Sequence, residues 1–319
     1  MLKNKHIQTL YSTFFRPYKQ RDYFKEVFSL SDGDFLECFW SKKPDGKKPI
    51  VILFHGLTGS FKSPYIQGVL KELDSAGLNG VVMHLRGALS PNKTPHSYHS
   101  GLTADTKEFI NSLQKRFPTT PLFCVGYSLG ANMMLKMLGE LKENTTIKGA
   151  VSVSAPLLLD ECANSINKGF SKFYQKRLLK ELKKLLHQKY KNFNMEKLIN
   201  FKEENIENIK TFWEFDEIYT AKLNGFKSAK EYYQKCSAKQ FLKDIKVPTL
   251  IIHSKDDPFM NEKVIPKENE ISKFITLEIH DNGGHVGFID GSIFKPKYYL
   301  DKRVVEFLVN ITSVIAVKH

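Results

Sequence analysis

The sequence predicts an α/β protein: a mostly parallel central sheet with helices on both faces and a helical insertion. Three observations predict it. Short β-branched apolar runs alternate with amphipathic helical windows, the pattern of parallel strands joined by helical crossovers. Runs such as "PIVILFHG" (49–56) and "PLFCVGYS" (121–128) end in loops carrying glycine or serine. From about Leu157 to Gln240 the alternation stops, in a lysine-rich stretch without buried-strand runs, and it resumes with "VPTLIIHS" (247–254). The expected division is a core of 1–156 and 241–319, interrupted by a helical cap, 157–240.

Each element has its own signal. "FKEVFSL" and "DFLECFW" (24–30 and 34–40), separated by Ser-Asp-Gly, read as an antiparallel hairpin at the sheet edge. Residues 49–56 follow as a buried strand. "SPYIQGVLKELDSAG" (63–77) is a helix, with Ser63 as N-cap, Pro64 at its first position and Gly77 at its end. "NGVVMHLRG" (79–87) is a strand, and "LTADTKEFINSLQKRF" (102–117) a helix stopped by Pro118. Residues 121–128 and "KGAVSVSAP" (148–156) are strands. In the insertion, Phe170, Phe173, Leu178, Leu182, Leu185 and Leu186 recur near a 3.6-residue period, so one helix face is apolar. Strands 247–254 and 274–280 and a helix over about 298–315 close the chain.

Formal net charge is +14. Basic residues thicken at 168–191, where nine Lys or Arg face a single acid, Glu181. Such a run is either a solvated helix face or, over 170–190, a surface for anionic lipid headgroups. No recognised nucleic-acid module is legible, so nucleic acid is not an expected partner. The first residues hold no apolar signal segment, no window is apolar enough to span a membrane, and Cys38, Cys124, Cys162 and Cys236 form no C-x-x-C pair. The expected compartment is the cytoplasm, peripheral to a membrane where the basic helix docks.

In "FCVGYSLGANMM" (123–134), Ser128 stands between Gly126 and Gly130 at a strand-to-helix junction. A serine hydroxyl is a poor nucleophile that needs a base, an orienter for the base and donors for the oxyanion. The two glycines allow the tight turn that lifts the hydroxyl clear of the sheet. An acid follows the strand 247–252 in "HSKDDPFM": Asp257 is preferred, three residues past the small Ser254, and Asp256 is the alternative. His285, in "DNGGHVGF", completes the chain order serine, aspartate, histidine. His280, at a strand end, is the weaker competitor. In "FHGLTGS" (54–60), His55 and Gly56 turn the backbone so that the amides of Leu57 and Leu129 can meet an oxyanion. No Lys-Ser/Thr follows in P-loop fashion, and the pair His96 and His99 has no accompanying carboxylate or thiol. No metal and no cofactor are expected.

The sequence resembles the α/β-hydrolases and, within them, the YheT-like branch. The likeness rests on "HIQTL" (6–10), "FHGLTGS", "LRGALSPNKTPHSYHSG" (85–101), "GYSLGANMMLK" (126–136), "KDDPFM" (255–260) and "GGHVGF" (283–288). It covers both ends and most of the core, and only weakly the insertion. It implies the α/β-hydrolase fold, a charge-relay set of Ser128, Asp257 and His285, and hydrolysis of small-molecule or lipid esters. A serine nucleophile disfavours epoxide and haloalkane chemistry. Phe170, Phe173, Tyr174, Phe212, Trp213 and Phe215 suit an acyl chain. Thioester cleavage, acyl transfer or a catalytically silent binding protein would use the same residues.

Overall fold

The computed structural model describes residues 3–17, 21–292 and 294–317. Its main sheet contains β1 (Phe24–Ser29), β2 (Phe35–Trp40), β3 (Ile50–Phe54), β4 (Asn79–Met83), β5 (Leu122–Tyr127), β6 (Ile147–Val153), β7 (Thr249–Ser254) and β8 (Ile275–His280). The spatial order is β1-β2-β4-β3-β5-β6-β7-β8, antiparallel at β1-β2 and β2-β4 and parallel elsewhere. The expected edge hairpin is therefore present. Strand β3 is buried along its whole length, as a parallel strand covered on both faces must be. Ile50, Ile52 and Phe54 point into one core with α3 (Ala104–Arg116) and α4 (Leu129–Leu141). Val51 and Leu53 point into the other, with α2 (Pro64–Ser75) and α10 (Tyr299–Val317).

Between β6 and β7 the chain is helical: α5 (Leu159–Ile166), α6 (Ser171–Asn192), α7 (Met195–Ile199), α8 (Phe212–Phe215) and α9 (Ala229–Cys236), with 3-10 and π turns between. Leu179, Leu182 and Leu186 of α6 pack on Met195, Ile199 and Ile206 in a cluster of their own. Phe170 and Phe173, expected on that buried face, are exposed: the first turns of α6 pack through Ser171, Tyr174 and Gln175, and the two phenylalanines lie off that side of the helix. Lys189 departs from its basic run in the other direction. It is buried and donates to Asn92 Oδ1, to Thr94 O at 2.8 Å and to His96 O at 3.0 Å. Burial pushes its pKa down to about 8. One lysine of the run is thus a staple between helix and core.

Two elements have no counterpart in the sequence reading. Helix α1 (Lys5–Phe15) starts at Asn4, whose side chain accepts from the amides of His6 and Ile7. Strands β9 (Ile289–Ser292) and β10 (Lys295–Tyr298) form a small antiparallel pair. Ser63 does stand at the N-cap of α2, but its hydroxyl accepts from Ser60 N instead of capping the helix. Among the described residues no helix is long and apolar enough to cross a membrane.

Candidate active site

Parallel strands bring their C-terminal ends to one edge of the sheet, where open α/β sheets place their sites. Ser128 sits in the turn from β5 to α4 at φ 50° and ψ −121°, a conformation that non-glycine residues rarely adopt. Such strain persists only where the surroundings hold it. Here they do: a Cβ at Gly126 would lie 2.5 Å from Ala131 Cα, and one at Gly130 would lie 2.5 Å from His55 O. The turn is too tightly packed for any other residue at either place.

The loops after β7 and β8 deliver the other two groups. His285 Nε2 lies 2.9 Å from Ser128 Oγ, and His285 Nδ1 lies 2.8 Å from Asp257 Oδ2. One tautomer serves both contacts: Nδ1–H donates to the carboxylate, and the Nε2 lone pair accepts from the serine hydroxyl. Both side chains are almost wholly buried. Phe259 stacks on the imidazole at 4.1 Å, and its backbone amide donates to Asp257 Oδ1 at 2.8 Å. Asp256, the alternative acid, has another contact: its Oδ1 accepts from the amides of Gly283 and Gly284, each at 2.9 Å. His280 pairs with Glu278 at 3.0 Å.

The loop after β3 faces the serine. A Cβ at Gly56 would come within 3.2 Å of Ser128 Cβ. Leu57 and Leu129 line the same cavity as Ser128, and the Leu129 amide, first in α4, has no acceptor within its helix. His55 is a neutral structural support. Its Nδ1–H donates to Gly56 O at 2.7 Å, its Nε2 accepts from Leu85 N at 3.2 Å, and burial pushes its pKa down to about 4.

Ser128 and His285 open onto a cavity of about 400 Å³. Much of its wall is apolar, with Leu159, Ile166, Leu178, Leu182, Phe212 and Phe215 contributed by the helical segment. Tyr174 also lines it, whereas Phe170, Phe173 and Trp213 do not. Helix α1 supplies Thr9, Leu10, Ser12 and Thr13 to the wall. No chemistry-bearing motif within 5–15 marks α1 as part of the site; "HIQTL" carries only the family likeness.

A profile of the alpha/beta hydrolase fold family matches residues 49–292. A protein of Escherichia coli (strain K12) named "Putative esterase YheT" is 39% identical over 314 residues, covering 96% of this chain and 90% of that one. The chain belongs to the α/β-hydrolases, in their YheT-like branch. Its class of activity is carboxylic ester hydrolysis. The monoacylglycerol lipase of Saccharomyces cerevisiae is 32% identical over 251 residues, covering 76% of this hydrolase but only 56% of its own length. The structure of the Pyrococcus furiosus esterase Pf2001 superposes with a TM-score of 0.60 at 19% identity over 92% of both chains, a likeness of fold.

Three imidazoles around this hydrolase's site are buried and neutral: burial pushes His55 to about 4 and both His84 and His99 to about 3. Their folded pKa values lie below the unfolded value of about 6.5, so the stability they carry is full above pH 6.5 and is lost as pH falls toward the folded values. Urea unfolding at pH 7 and at pH 5 should show a loss of about 1.4 kcal/mol per pH unit for each of these groups below pH 6. Equal stability at both pH values would contradict their burial as neutral rings.

Proposed function

We propose that this hydrolase is a serine esterase acting on short- or medium-chain acyl esters or lipid esters through an acyl-enzyme on Ser128. The observation that carries the proposal is the hydrogen-bonded line from Ser128 through His285 to Asp257, opening on a largely apolar cavity. Ser128 Oγ attacks the acyl carbonyl as His285 Nε2 takes its proton. Asp257 holds the ring in the competent tautomer and stabilises the imidazolium that forms. The amides of Leu57 and Leu129 bind the oxyanion, each donor being worth about 3 kcal/mol at the barrier. His285 then protonates the leaving alcohol, and water activated by the same imidazole releases the acid. The helical segment 157–240 acts as the cap that shapes the acyl site. Ser128→Ala should keep the wild-type circular dichroism spectrum and lower kcat on p-nitrophenyl butyrate by roughly 10⁴-fold or more. Wild-type turnover in that variant would end the proposal.

The same enzyme docks on an anionic lipid surface. Exposed apolar side chains gather where α1 and the first turns of α6 border the cavity: Ile7, Phe14, Phe15, Phe170 and Phe173. Arg177 lies over the Phe14 ring at 5.5 Å, and Lys172, Lys176 and Lys180 stand exposed beside them. Within the basic run 170–190 it is this beginning, and not the packed remainder, that offers the pairing of apolar anchors with positive charge that anionic interfaces select. Co-sedimentation with vesicles should rise with anionic lipid content and fall in the double variant Phe14→Ser, Phe173→Ser. Binding that ignores lipid charge, or that survives the double substitution, would remove the docking surface.

A further inference from the structure

The loop that carries His285 is held in an unusual way. Five of its backbone amides donate to side chains from elsewhere: Gly283 and Gly284 to Asp256, His285 to Thr9 Oγ1 at 2.9 Å, Val286 to Ser154 Oγ at 3.2 Å, and Ile289 to Gln8 Oε1 at 2.6 Å. The loop also contains two non-glycine residues at positive φ, Val286 at 62° and Phe288 at 46°. A β-branched residue there is strained, by roughly 1–3 kcal/mol, and keeps its conformation only where neighbours enforce it. The base therefore rides on a segment that would relax if its outside partners were removed.

Two of those partners belong to α1, a helix outside the sheet that shares no chain continuity with the loop. Gln8 is fully buried, and its amide pairs with both backbone groups of Ile289, accepting from N and donating Nε2–H to O at 2.9 Å. Thr9 donates its hydroxyl proton to Lys5 O at 2.8 Å, and its oxygen accepts from the His285 amide. The approach is close: a Cβ at Gly287 would lie 2.2 Å from Gln8 O, and one at Gly284 would lie 2.6 Å from Lys5 O.

We propose that Gln8 and Thr9 are positioning residues for the base, and that α1 is a strap which holds His285 within reach of Ser128. The proposal rests on the serine esterase reading above and adds a part to it, because neither residue touches the reacting atoms in that mechanism. A displacement of the imidazole by about 1 Å is enough to cost roughly 100-fold in rate, so the loss should fall mainly on kcat.

The test compares four chains by kcat and KM on p-nitrophenyl butyrate, each normalised to folded protein by circular dichroism: wild type, Gln8→Ala, Thr9→Val and Thr9→Ser. The strap predicts a fall in kcat of about 10- to 100-fold for Gln8→Ala and Thr9→Val, with KM little changed. Thr9→Ser, which keeps the hydroxyl, should restore turnover. Thr9→Val is nearly isosteric, so it reads the hydrogen bond even where Gln8→Ala fails to fold. Wild-type kcat in Thr9→Val, or equal loss in Thr9→Ser and Thr9→Val, would overturn the proposal. If wild type itself shows no turnover that depends on Ser128, the esterase reading falls and the strap with it; variants as active as a Ser128-dependent wild type remove the strap alone.

Discussion

The whole arrangement depends on one hydrogen bond, from the Ser128 hydroxyl to the Nε2 of His285 at 2.9 Å. These residues lie 157 positions apart, and the acid that orients the imidazole lies between them, 28 positions before His285. The parallel sheet brings them together, since β5, β7 and β8 all end at the same edge. Rigidity of β5 and α4 then fixes the hydroxyl, because the strained Ser128 backbone has no neighbouring space into which to relax. The base sits on a loop outside the sheet and its helices. Its loop leans on Asp256 and Ser154 from the core and on Gln8 and Thr9 from the N-terminal helix.

Helix α1 presents two different faces. Its inner side meets the base loop through Gln8 and Thr9 and contributes to the cavity wall. Its outer side presents Phe14 and Phe15 beside the exposed first turns of α6. In the proposed function, the element that meets a lipid surface is therefore the one that supports the imidazole. Net charge of +14 is spread over the chain, but where it borders exposed aromatic rings it becomes a directional feature.

What was legible in the sequence follows from which signals are local. Buried parallel strands read as continuous apolar runs, so β3, β5 and β7 stand out in the sequence, and the glycines around Ser128 mark the turn. The preference for Asp257 over Asp256 came from spacing after Ser254, and the structure puts Asp257 against His285 while Asp256 holds the neighbouring glycines. Features that failed to show were those whose signal is tertiary. The strap rests on Gln8, a single buried polar side chain with no pattern around it. Lys189 looks like eight other basic residues until it is found bonded to Thr94 and His96. Phe170 and Phe173 fall near the helical period, but the first turns of α6 pack through Ser171, Tyr174 and Gln175 instead, a choice of face that an apolar count does not reveal.

In the proposed mechanism His285, aligned by Asp257, makes the Ser128 hydroxyl nucleophilic. Its most direct measurement is the rate at which a fluorophosphonate probe labels the protein, with the adduct located by peptide mass spectrometry, in wild type and in Asp257→Asn. One adduct is expected, on Ser128, forming orders of magnitude faster in wild type. An unlabelled Ser128, or the same rate in both proteins, would contradict it.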